Sequence, residues 1–144
     1  MMAKKKKSRF KNNLGHFVFF DPKMGSIGAL ILGTAVFFIN YDHGLIWGLT
    51  AALKQATFTF FVGGMITRLC ENIASAIKND RKAIFVAVLI PTMISLILTY
   101  MVHSLKGTPE PLNSTIPTLL MAPWGFLWWA LRKRKQLKAA NESI

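Results

Sequence analysis

Acidic residues and cysteine are scarce in this chain. Asp and Glu number 6 against 18 Lys and Arg, and Cys70 is the single cysteine. One cysteine excludes an intramolecular disulfide and any CxxC centre, so Cys70 reads as a small buried hydrophobe. The sequence also lacks a Gly-rich phosphate loop, an HExxH and a GxSxG. No enzyme activity, cofactor or resident metal is therefore expected.

What the chain has is apolar length. Of its 144 residues, 52% are hydrophobic and 17% charged, with mean hydropathy +0.36. That is too apolar for an ordinary soluble domain and fits a polytopic membrane protein with charged ends. A membrane-spanning helix needs about 20 apolar residues. Stretches 24–41, 45–67 (interrupted only by Lys54) and 83–104 qualify, and 115–131 lies at the short end of the range. The expected fold is an all-α, four-transmembrane-helix bundle forming one membrane domain, with helices over 24–41, 44–79, 83–104 and 115–131.

The cations set the orientation. With the N-terminus in the cytoplasm and four crossings, the positive-inside rule leaves only Lys54 and Lys106 on the far side, out of 18 Lys and Arg. The N-in/C-in reading places the protein in a bacterial cytoplasmic membrane as a multi-pass component. It also assigns the net charge of +12 to topology and to anionic headgroups, not to nucleic acid. Segment 1–13 is then a basic arm and 132–144 a basic tail. Segment 14–23, with His16, Phe17, Phe19 and Phe20, reads as interfacial, with Asp21 capping and Pro22 opening the first helix. No small-residue cleavage site follows the first apolar stretch, so a removable signal peptide is not expected. Trp124, Trp128 and Trp129 form an interfacial anchor at the inner end of the fourth helix.

Small residues recur at steps of four on the first two helices: Gly25, Ala29 and Gly33, then Gly44, Gly48, Ala52 and Ala56. Two such ladders on helices joined by the short turn NYDHG predict close antiparallel packing. The second helix keeps its periodicity past Thr67. At 1.5 Å per residue, 44–79 would be about 54 Å long against a hydrocarbon core of about 30 Å. Several turns are expected to project as a docking surface.

A polar stripe is the main candidate site. At about 100° per residue, Thr50, Lys54, Thr57, Arg68 and Glu71 share one sector of the second helix. Thr92, Ser95, Thr99 and His103 make a matching stripe on the third, beside a kink expected at Pro91. The two stripes are expected to face each other, with Lys54 about 15 Å below the outer boundary. Lysine at mid-membrane costs about 2.5 to 3.5 kcal/mol, so its presence asks for a role. Three remain open: a solute or proton site, pairing with another subunit, or snorkelling to the outer surface. Arg68 and Glu71 are spaced as a helical ion pair. Asp42, His43, His103 and Glu110 flank the outer rim, where a metal or proton site is a minor alternative.

These readings favour a non-enzymatic membrane protein acting as a homo-oligomer or as the membrane subunit of a larger complex, with its polar seam centred on Lys54. The alternatives are a small transporter, channel or flippase for an anionic solute or lipid headgroup, and a holin-like pore former.

Overall fold

Asp21 sets the start of the first helix. In the computed structural model, which describes residues 20–142, its Oδ1 accepts a hydrogen bond from the Met24 N–H at 3.1 Å, and Pro22 opens the helix where no backbone donor is needed. This helix, α1, spans Pro22–Asn40. The basic arm and segment 14–19, including His16, lie outside the described residues.

A 3-10 turn over Tyr41–His43 leads to Gly44, whose φ of 110° is open to glycine and strained for other residues. Gly44 therefore reverses the chain instead of joining the small-residue ladder of the next helix. That helix, α2, runs Leu45–Ala76. Its middle, Thr59–Gly63, is π-helical, an irregularity that apolar periodicity does not reveal.

The α1–α2 hairpin is as close as its ladders predict. A Cβ at Gly25 would stand 2.4 Å from the Phe60 carbonyl oxygen, and one at Gly33 3.1 Å from the Ala56 Cβ and 3.4 Å from the Ala52 oxygen. Gly48 lies equally tight against Phe37. Gly64, off the ladder, makes room for Phe20, and its carbonyl accepts from the Asp21 N–H at 3.2 Å.

The second helix ends three residues short of the expected Asn79. α2 ends at Ala76, where Ile77 turns extended, and Asn79 caps a new helix through Lys82 N–H to its Oδ1 at 3.0 Å. This α3 spans Asp80–Leu105 and continues as helix through Pro91. One face of the last turns of α2 is buried: Ile66, Cys70 and Ala74 form a core with Ala87 of α3 and Phe126, Trp129 and Ala130. Cys70 is fully enclosed, its Sγ 3.5 Å from the Phe126 oxygen.

The fourth helix is longer than expected. α4 spans Pro111–Glu142, where 115–131 was expected, and so takes most of the basic tail into the helix. Its neighbours alternate in direction, with Asn40, Ser114 and Lys106 at one end of the bundle and Asp21, Asp80 and Arg134 at the other. Every regular element among the described residues is helical. Helices Pro22–His43, Leu45–Ala76 and Asp80–Leu105 are long and apolar enough to cross a membrane. Their outer faces carry Leu30, Ile46, Phe85 and Leu105 in the open, the surface expected of a membrane-embedded protein.

Candidate functional site

Polar side chains gather inside the bundle, but not around Lys54. The neighbouring Gln55, on the face that packs inward, is 1% exposed and meets His103, which is fully buried. Gln55 Nε2 donates to Thr59 Oγ1 at 2.9 Å, so its Oε1 is the acceptor for His103 Nε2–H at 2.9 Å. The other ring nitrogen of His103, Nδ1, lies 3.0 Å from the Thr108 hydroxyl. A second pair ties α1 to α4. Asn40 Nδ2 donates to Ser114 Oγ at 2.8 Å, and its Oδ1 accepts from the Glu110 N–H at 3.3 Å.

The expected stripe on α2 divides into three. Thr50 and Thr57 are exposed, and the Thr50 hydroxyl bonds back to the Ile46 oxygen at 2.8 Å. Lys54 Nζ donates to the Lys106 oxygen, at the C-terminus of α3, where the helix dipole favours a cation. Arg68 pairs with Glu71 and reaches Asp21 at 3.5 Å, on the α1 side. The π segment is the physical cause. Its extra residue rotates the following helix by about 100° relative to a continuous α-helix, so Arg68 and Glu71 leave the sector of Lys54.

The α3 stripe stays together. Thr92, Ser95, Thr99 and His103 are all buried. Ser95 and Thr99 line a cleft of about 210 Å³ that also takes in Gln55, Thr59 and Thr118. The hydroxyls of Thr99 and Thr118 and the indole N–H of Trp129 are enclosed without a hydrogen-bond partner, and all three residues line this cleft. Buried polar atoms are normally paired, so three orphans on one cavity are a feature to explain.

The outer rim does not converge as a metal site. His43 Nε2 contacts Glu110 Oε1 at 3.2 Å, while His103 is turned into the interior and Asp42 lies exposed. No group of three His, Cys, Asp or Glu side chains suited to a metal occurs among the described residues.

At the opposite end Arg134 joins three helices. Its Nη1 donates to the Ala74 and Ile77 oxygens, each at 2.9 Å, and its Nη2 to the Lys78 oxygen at 3.1 Å. Nε and Nη2 both reach Asp80 Oδ1, and Lys138 adds a contact to Asp80 Oδ2 at 2.7 Å. The guanidinium thus satisfies carbonyls that α2 leaves free at its end. In the sequence it is one cation in the run RKRK, and nothing local singles it out. Gln55 likewise stood unmarked beside the charge of Lys54, and its burial follows from the approach of α3.

Comparison with protein families, with curated proteins and with solved structures finds no match to this chain.

Proposed function

We propose that this chain is a non-enzymatic four-span membrane protein, with both ends on the cytoplasmic side of a bacterial membrane, that works as a homo-oligomer or as the membrane subunit of a larger complex. The observation that supports it most directly is the anchored end of α4. Residues 132–142 continue the helix about 16 Å beyond Leu131, and Arg134 fixes that extension to the α2–α3 turn. Arg132 lies over the Trp128 and Trp129 rings at 5.4 and 5.0 Å. A rigid helix carrying Lys133, Lys135 and Lys138 is a handle for an acidic partner surface. Anionic headgroups beside it add about 1 kcal/mol per basic residue. Transport of an anion would instead require Lys54 to leave Lys106.

Crosslinking in native membranes, followed by mild extraction and native mass measurement, tests the reading. Species heavier than the 16.1 kDa chain are expected, and Lys133→Glu/Lys135→Glu should dissociate them. A lone monomer under every extraction condition overturns the proposal.

A further inference from the structure

We infer that the cleft between α1 and α4 is a binding site for an uncharged single-chain lipid that enters from the side and sets its hydroxyl or carbonyl oxygen against Thr99 and Thr118. This inference does not rest on the oligomeric reading, since a monomer has the whole cleft.

The opening is lateral. Ile27 and Ile31 of α1 and Met121 and Gly125 of α4 border the cleft and are themselves exposed, so its mouth lies on the flank of the bundle and not at either end. A molecule dissolved in a bilayer meets this flank directly. The volume of about 210 Å³ exceeds the roughly 150 Å³ that admits benzene in an engineered apolar cavity. It is elongated as well. Thr118 and Trp129 are 11 residues apart on α4, about 16 Å along the helix, which suits a chain more than a compact ring system.

The chemistry of the lining selects the ligand. No Lys, Arg, Asp, Glu or His side chain lines the cleft, so a phosphate or carboxylate would enter without a counter-charge. Neutral hydrogen-bonding groups are present and unused. Thr99 is fully buried and Thr118 is 3% exposed, and their hydroxyls have no partner. They come from two different helices, α3 and α4, and both residues line the cleft. The orphan Trp129 N–H marks the other end and takes a second acceptor where the ligand has one.

Gly125 gives an independent sign that the space is kept open. A Cβ built there meets nothing within 4 Å. Glycine inside a helix is less favourable than alanine by about 0.8 to 1 kcal/mol, so packing does not account for it. The absent side chain leaves the mouth clear.

The test uses the full chain in phosphatidylcholine nanodiscs with Trp47, Trp124 and Trp128 replaced by Phe, leaving Trp129 as reporter. The probes are 9,10-dibromostearyl alcohol, 9,10-dibromooctadecane and, at alkaline pH, 9,10-dibromostearate, each of which quenches indole fluorescence on contact. The alcohol should quench saturably at the lowest mole fraction. Gly125→Leu should abolish the saturable part while leaving helical content unchanged. Thr99→Val and Thr118→Val should each weaken the alcohol about fivefold and leave the alkane unaffected. Equal quenching by alcohol and alkane overturns the proposal, as does tighter binding of the carboxylate. If Gly125→Leu does not fold, the two Thr variants decide alone, and unchanged preference for the alcohol in both sinks the assignment.

Discussion

Gln55 Oε1 and His103 Nε2 lie 2.9 Å apart, joining α2 to α3 across 48 residues of chain at a point that water does not reach. Removing one partner strands the other. Gln55→Leu should lower the unfolding free energy in detergent, with His103→Leu doing the same and the double variant losing less than the sum. A coupling of about 0.6 to 1.7 kcal/mol is expected, the range of hydrogen bonds between membrane helices. Strict additivity in the cycle would show that the contact contributes nothing.

Gly25 and Gly125 should respond to alanine in opposite directions. At Gly25 the new methyl meets the Phe60 backbone at 2.4 Å, so the α1–α2 hairpin must part. At Gly125 it meets open space and improves helix propensity by about 0.8 to 1 kcal/mol. Thermal denaturation of the two variants should bracket the parent. Equal effects would contradict the packing described for α1 and α2.

Arg134→Ala leaves the oxygens of Ala74, Ile77 and Lys78 and the carboxylate of Asp80 without their shared donor. Destabilisation of about 1 to 3 kcal/mol should follow, with faster proteolysis at the α2–α3 turn. Lysine has no planar fork and should restore less than half of the loss. Unchanged cleavage at 77–79 in the alanine variant would count against the anchoring role.

Lys54→Met should be mild. The ammonium group holds the end of α3 through Lys106, a helix-terminus interaction of about 0.3 to 1 kcal/mol. A small fall in stability with intact assembly is expected by size-exclusion chromatography. Collapse of a complex would instead restore Lys54 as a subunit contact.

Features that depend on neighbours in sequence were legible. Asp21 and Pro22 mark the start of α1, and Gly25, Gly33 and Gly48 announce the hairpin, because capping and four-residue spacing are local properties. The three apolar helices follow from length and hydropathy. Charge drew attention to Lys54, whereas the buried face belongs to Gln55, and only the approach of α3 decides between them. The fate of the basic tail was equally hidden, since RKRK becomes ordered helix through contacts that Arg134 makes more than 50 residues back.

The π-helical turn at Thr59–Gly63 also separates two tasks within one helix. The half before it packs on α1 through Gly48, Ala52 and Ala56 and reaches α3 through Gln55, and the half after it packs on α3 and α4 through Ile66, Cys70 and Ala74. The surplus residue acts as a phase adjuster between these halves. Deleting any one of the five would leave a continuous, equally apolar helix that is out of phase with one set of neighbours. A change in chain length here is therefore a change in packing, although composition alone would mark the segment as an ordinary stretch of span.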